Sequence, residues 1–142
     1  MPNVPNTTIP GQIYTSTGFQ NAGTWEAAGG VITRSYSVLG PLTAYTFPGF
    51  SVAVPSGALY LTAVVTQLSA GTGTVDITQC ALGGSPATIP GLTGLSVTTT
   101  DSGYINPNNP ASVADLDKFS FVLSSPSGTG DIVIDFVFSV TP

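Results

Sequence analysis

The chain has 142 residues, the usual length of a single domain, and only 6% of them are charged. Seven acidic residues stand against two basic ones, Arg34 and Lys118, which gives a net charge of −5. Binding to nucleic acid or to an anionic membrane surface needs a basic patch, so this composition excludes both partners. The sequence also has no apolar run long enough to span a bilayer.

Residues 1–12 contain three prolines and no charged side chain. Because proline fixes φ and removes a backbone donor, this segment is predicted to be an extended N-terminal arm. It has neither the basic region nor the apolar core of a signal peptide, so we expect synthesis in the cytoplasm without a leader. An arm that is already extended loses little conformational freedom on binding, which suits it to docking. The candidate docking residues are Val4, Pro5, Ile9 and Pro10.

Residues 13–142 are predicted to form one all-β domain, since Val, Ile, Thr and aromatic residues alternate with polar ones between Gly and Pro breaks. Regular short strands of this kind are typical of an antiparallel β-sandwich with a jelly-roll-like arrangement. Segment Tyr104–Ala114 is expected to be a long loop. The predicted strands are Val31–Leu39, Thr43–Phe47, Phe50–Val54, Ala58–Leu68, Thr74–Leu82, Leu92–Thr100, Lys118–Ser124 and Ile132–Val140.

The last two predicted strands each have one face that is apolar throughout. Because successive side chains of a strand point to opposite faces, this pattern predicts that these faces are turned to the core. The residues are Phe119, Phe121 and Leu123 in one strand and Ile132, Ile134, Phe136, Phe138 and Val140 in the other.

Two segments of the chain resemble each other. Leu68–Ile77 and Leu123–Ile134 both contain a Leu-Ser pair, a Gly-Thr-Gly turn and an alternating strand. Each is predicted to be a β-hairpin closed by a glycine turn. The likeness of the two segments is explained either by a true internal repeat or by the general similarity of all hairpins with glycine turns.

The sequence offers no catalytic apparatus. It lacks histidine, the commonest general base and the commonest metal ligand. Cys80 has no activating neighbour in the sequence and is expected to be a small buried residue. Asp131 and Asp135 would lie about 13 Å apart along one strand face, too far for a glycosidase pair. We therefore expect a protein that is not an enzyme and has no catalytic residue and no cofactor.

One loop concentrates side chains that carry oxygen. Calcium takes six to eight oxygen ligands, so a calcium site is one interpretation of this loop and ordinary turn chemistry is the other. No EF-hand spacing is present, and we expect no essential metal. The side chains are Asp101, Asn106, Asn108, Asn109, Asp115 and Asp117.

A nearly uncharged surface on a stable β-sandwich favours assembly, because the centres of protein interfaces are poor in charge and rich in aromatic residues. The arm Met1–Pro10, the Thr/Ser/Gly-rich body and the terminal strand Asp131–Thr141 resemble, in general character, the small β-sandwich decoration or cement proteins of tailed bacteriophage capsids. The resemblance implies a structural protein of the virion that decorates the capsid surface. It also implies a homo-oligomer, expected to be a trimer, that binds a major capsid protein.

A carbohydrate-binding module is the alternative. Segments Leu116–Phe121 and Gly130–Asp135 resemble the closing hairpin of sugar-binding jelly rolls. Such modules are usually exported and joined to an enzyme, and the lack of a leader or linker in this sequence makes us favour the assembly protein. Exposed aromatic rings stack on sugars, although in a β-sandwich they more often anchor cores or interfaces. The candidate stacking residues are Trp25, Tyr45 and Tyr104.

Overall fold

The computed structural model describes residues 30–54 and 57–142. Within this part the regular structure is almost entirely β-strand, and residues Thr33–Pro142 form one compact unit. The predicted arm, residues 1–12, and the predicted domain boundary at residue 13 lie outside the described residues.

Ten strands follow one another in the described residues, and every predicted strand overlaps one of them. Two short strands, β6 and β8, were not predicted, and β8 lies inside the predicted loop. The ten are β1 (Val31–Val38), β2 (Tyr45–Thr46), β3 (Phe50–Val52), β4 (Tyr60–Leu68), β5 (Thr72–Cys80), β6 (Ala87–Thr88), β7 (Leu95–Val97), β8 (Ala111–Ser112), β9 (Asp117–Ser127) and β10 (Ile132–Ser139).

The strands form two sheets, one of four strands and one of six. In the four-stranded sheet the order is β1–β10–β4–β8. In the six-stranded sheet β9 and β5 pair with each other at the centre. On the side of β9 away from β5, β9 pairs with both β2 and β3. On the side of β5 away from β9, β5 pairs with both β6 and β7. The central pairs, β9 with β5 and β10 with β4, are antiparallel.

The two sheets pack face to face around a core of phenylalanine rings. The Phe119 ring of β9 lies 6.1 Å from the Phe136 ring and 5.3 Å from the Phe138 ring of β10, measured between centroids. Phe50 of β3 reaches the same cluster, 5.0 Å from Phe136. These contacts confirm the antiparallel β-sandwich and the predicted core faces. Val140 is the exception, because it follows the end of β10 and is exposed.

The two glycine turns do not form the predicted hairpins. β4 and β5, joined by residues 69–71, lie in different sheets, and so do β9 and β10, joined by residues 128–131. Each turn is therefore an arch that carries the chain from one sheet to the other. The hairpin prediction is wrong because alternation within a strand does not say which strand is its hydrogen-bonding partner. The segments are nevertheless alike, since both are strand, arch and strand.

The two arches bond to each other through their backbones. The Ser69 N–H donates to the Asp131 carbonyl oxygen at 2.8 Å, and the Gly130 N–H donates to the Ala70 carbonyl oxygen at 2.9 Å. The Asp131 N–H in turn donates to the Ser69 hydroxyl at 2.7 Å. The backbone N–H and C=O groups of these turns have no neighbouring strand to bond to. The opposite arch supplies their hydrogen-bond partners.

Gly71 permits this close approach. Its φ is +79°, and a Cβ at this position would overlap the carbonyl group of Ser127 and the backbone of Gly128. Gly128 also has a positive φ, +60°, but nothing lies within 4 Å of the position of its missing Cβ. Comparing substitutions at Gly71 and Gly128 therefore distinguishes the stability lost through the positive φ from the stability lost through contact with the other arch.

We expect Gly71→Ala to destabilise the domain far more than Gly128→Ala. Both changes put alanine in the left-handed region, which costs about 1–2 kcal/mol. Only Gly71→Ala adds overpacking against the other arch, worth about 1–3 kcal/mol more. Urea unfolding of the two variants, followed by circular dichroism, measures the difference. Equal losses of unfolding free energy would contradict a direct contact between the arches.

Candidate functional site

Two predicted sugar-stacking residues, Tyr45 and Tyr104, are exposed, with 59% and 76% of their surface accessible. Tyr45 lies on β2, which pairs with β9. Tyr104 precedes Ile105, and the backbone of Ile105 bonds to Val64 of β4. This bond lies on the side of β4 that faces away from β10. Across the sandwich, β1 packs on β3 at one edge, and β8 bonds to β5 at the other. Tyr45 and Tyr104 therefore lie at opposite edges of the sandwich. The structure does not bring the two tyrosines together. The remaining predicted site residues, which lie outside the described part of the chain, are Trp25, Val4, Pro5, Ile9 and Pro10.

The connection between β1 and β2 presents apolar side chains to solvent. Leu39 is 80% exposed. The Tyr45 ring contacts Phe47 edge-on at 5.1 Å, and Phe47 stacks at 4.6 Å on the buried Phe121. A chain of aromatic rings thus runs from the core to the surface. The exposed side chains of residues 39–48 are named the Leu39–Tyr45 edge.

Asp131, in the arch before β10, and Asp135, within β10, have separate structural partners. Asp131 accepts a hydrogen bond from the Gly40 N–H at 2.8 Å, and Asp135 accepts one from the Ser35 hydroxyl at 2.5 Å. The first bond joins the arch to the residues that follow β1, and the second joins β10 to β1. The arrangement therefore stabilises the sheet edge and does not pair two carboxylates.

The Asx-rich loop does not gather its acids either. Asp101 accepts from the N–H of Gly103, two residues on, and Asp115 accepts from the Val54 N–H, both at 2.8 Å. Among the residues that the structure describes, no three Asp, Glu, Cys or His side chains lie close enough to hold a metal ion. The Asp101 bond is ordinary turn chemistry, whereas the Asp115 bond joins this loop to the segment that follows β3.

Asp117 differs from the other acids of this loop because it is buried. It begins β9 and is only 4% exposed. Its Oδ2 accepts from the Gln79 side-chain amide at 2.8 Å and from the Ala114 N–H at 2.9 Å. Its Oδ1 is enclosed and has no hydrogen-bond partner. A buried carboxylate oxygen without a donor is unfavourable unless a further group satisfies it.

A cavity of about 420 Å³ lies beside Asp117. Besides Asp117, its polar wall consists of Gln79, Ser85, Thr88 and Asn109. Its apolar wall consists of Ala81, Ala87, Ile89, Pro90 and Ala111. Sequence reasoning missed this site, because only the pairing of β5 with β6 and β9 brings these segments together. The one local signal was an acid at the start of a strong apolar strand.

The turn before β9 positions Asp117 through a left-handed leucine. Leu116 has a φ of +64°, and its N–H donates to the Val52 carbonyl oxygen at 2.8 Å. On either side of it, the exposed Asp115 bonds to Val54 and Asp117 enters the interior. Leucine rarely adopts this conformation, so the surrounding bonds must hold it there.

Cys80 also differs from its prediction. It is half-buried and not fully buried, and the antiparallel register places Lys118 directly opposite it. The sequence could not show this basic neighbour, because a cross-strand pair is defined by register and not by spacing along the chain.

Neither a scan against protein-family models nor searches of curated proteins and of solved structures found a match to this chain. In the described ranges no helix has the length and apolar character needed to cross a membrane.

We expect Leu116→Val to destabilise the domain more than Leu116→Asn, by about 1 kcal/mol. Asparagine tolerates a positive φ, whereas a β-branched residue does not. Burial alone predicts the reverse order, because valine is the more apolar residue. Thermal unfolding of the two variants decides between these effects. A more stable valine variant would show that burial of the side chain outweighs the backbone of this turn.

Proposed function

We propose that this protein is a non-enzymatic structural protein that packs against copies of itself and decorates a viral capsid, most simply that of a bacteriophage. The observation that carries the proposal is the Leu39–Tyr45 edge. An exposed tyrosine next to a well-packed core is characteristic of residues that anchor protein interfaces, and the exposed Leu39 adds apolar surface beside it.

Charge favours a second copy of the chain as the first occupant of this edge. Each copy carries a net charge of −5, so two copies repel each other wherever their carboxylates meet. No charged residue occurs in residues 35–75, which include the whole edge. Among the acids that the structure describes, Asp131 bonds to the Gly40 N–H at this edge. Copies therefore approach each other through this edge with little electrostatic repulsion.

The backbone of the edge supports the same occupant. Within the described residues, β2 pairs with β9 on one side and has no strand on the other. An edge strand with unpaired backbone groups can add a strand from another chain. Self-association through this edge would combine backbone hydrogen bonds with burial of Leu39 and Tyr45.

The strand order supports the jelly-roll arrangement. If β2 and β3 count as one interrupted strand, because both pair with β9, and β6 and β7 as another, because both pair with β5, ten strands become eight. The two sheets then follow the chain orders 1–8–3–6 and 2–7–4–5, the order of a jelly roll. Jelly rolls build many viral capsid domains, although a fold by itself does not decide function.

The carbohydrate-binding alternative draws on the same fold, because lectin domains are also jelly rolls. It has less support, since Tyr45 and Tyr104 lie at opposite edges and cannot clasp one sugar ring between them.

We expect the double variant Leu39→Ser/Tyr45→Ser to dissociate the expected trimer into monomers. The changes remove the two apolar anchors of the edge and leave the core intact. The matched control is Leu82→Ser/Tyr104→Ser, because it changes the same two residue types at exposed positions, 75% and 76% accessible, away from the edge. Analytical ultracentrifugation measures both. A wild-type monomer at high concentration, or equal dissociation by the control, would contradict the proposed interface.

Attachment to a shell is tested with the N-terminal arm. We expect removal of residues 2–11 to leave the domain folded and to weaken its co-sedimentation with capsids. The genes that flank its coding sequence identify the capsid to use. Unchanged attachment would show that the arm does not dock. Binding only to polysaccharide, with glycoside hydrolase genes as neighbours, would favour the alternative function.

A further inference from the structure

We propose that the cavity beside Asp117 binds an aliphatic cation, that is, a guanidinium or ammonium group on a short apolar stem. The ligand is either a free amine or guanidine or the basic side chain of another protein. This inference does not depend on the proposed assembly role, because it rests on a different edge of the sandwich.

The first step is the unbalanced charge of Asp117. The carboxyl group is buried, two neutral donors bond to its Oδ2, and its Oδ1 has none. Neutral donors lower the free energy of a buried carboxylate, but they do not cancel its charge. A nearby cation would compensate the charge of the carboxylate. Because the dielectric constant around a buried group is low, this attraction acts over several ångströms, even without a direct bond between the cation and Oδ1.

Neither basic side chain of the protein is placed to compensate the charge of Asp117. Arg34 lies over the Phe50 ring, with its guanidinium carbon 4.6 Å from the ring centroid. Lys118 follows Asp117 directly, so the alternation of β9 turns it to the outer face, opposite Cys80. The sequence contains no third Lys or Arg and no His. The compensating cation must therefore come from outside these side chains.

The next step is the shape and lining of the cavity. Its volume of about 420 Å³ lies within the range of small-ligand pockets. Ala87, Ile89 and Pro90 offer apolar surface to a stem of a few methylene groups, while Asp117 offers the charge to its head. Lysine and arginine use the same division, with an apolar stem on apolar surface and a charged end at a polar group.

A divalent metal ion fits this site poorly. Calcium requires six to eight oxygen ligands and usually several carboxylates. Asp117 is the only acid that lines the cavity, and one of its oxygens is already bonded twice. A single organic cation matches the single carboxylate.

The test compares two ligands of nearly equal shape, n-butylguanidinium and neutral n-butylurea. Isothermal titration calorimetry with the full chain should show saturable binding of the guanidinium and binding of the urea that is weaker by about tenfold or more. Equal affinity would show that the site does not recognise charge. No binding of n-butylguanidinium at 10 mM, about the weakest affinity that a charged hydrogen bond in a pocket gives, would overturn the proposal.

Two variants place the binding at this cavity. Asp117→Asn should weaken binding of n-butylguanidinium by about tenfold or more, because it removes the charge. The matched control, Asp101→Asn, removes the same charge from an exposed carboxylate outside the cavity and should change affinity less than about twofold. Equal losses in the two variants would show that only net charge attracts the ligand.

A third variant keeps the test decisive if Asp117→Asn does not fold. Ala87→Phe fills the cavity from an exposed edge strand and leaves the carboxyl group of Asp117 itself unchanged. It should abolish binding, and unchanged binding would overturn the proposed location. Titration with acetyl-Gly-Arg-Gly-amide then distinguishes the sources. Tighter binding of this peptide than of n-butylguanidinium assigns the site to a protein side chain, and weaker binding assigns it to a free cation.

Discussion

The two sheets depend on the direct contact between their connecting arches. Gly71 and Gly130 have no side chain at the points where the arches meet, so backbone groups of one arch bond to the other. This contact sets the register of two strand pairs at once, β4 with β10 and β5 with β9. These four strands form the centre of both sheets, and every other described strand adds to the outside of this centre. A side chain at either glycine would therefore disturb both sheets together.

The central strands carry the core and leave the edges available for binding. The largest buried side chains, Phe119, Phe121, Phe136 and Phe138, all belong to β9 and β10. The Leu39–Tyr45 edge lies beside β2, whereas strands β6 and β8 line the Asp117 cavity at the other side. A partner at the first edge therefore does not block the second, and the two proposed activities are physically compatible.

Each of the six acidic side chains that the structure describes accepts an identifiable hydrogen bond. Asp135 and the preceding Asp131 bond to β1 and to the residue Gly40 beyond it, Asp101 closes a turn, and Asp115 bonds to the distant Val54 N–H. The guanidinium of Arg34 lies over an aromatic ring, an arrangement that stabilises a cation without a carboxylate. Asp117 alone keeps a buried oxygen without a donor among the acids that the structure describes. That contrast is why Asp117, and not the exposed acids of the Asx-rich loop, marks a candidate site.

The amino-acid sequence alone determined that the domain is all β and that the apolar faces of β9 and β10 are buried. Alternation with a period of two is a local property, and burial follows directly from it. Charge and the absence of histidine likewise limited the functions without any knowledge of contacts. Only the tertiary structure decided that the glycine turns are arches, that Tyr45 and Tyr104 are far apart, and that Asp117 meets Gln79 beside a cavity. These features depend on which distant strands pair and in what register, and a pattern within one segment carries no information about its partner.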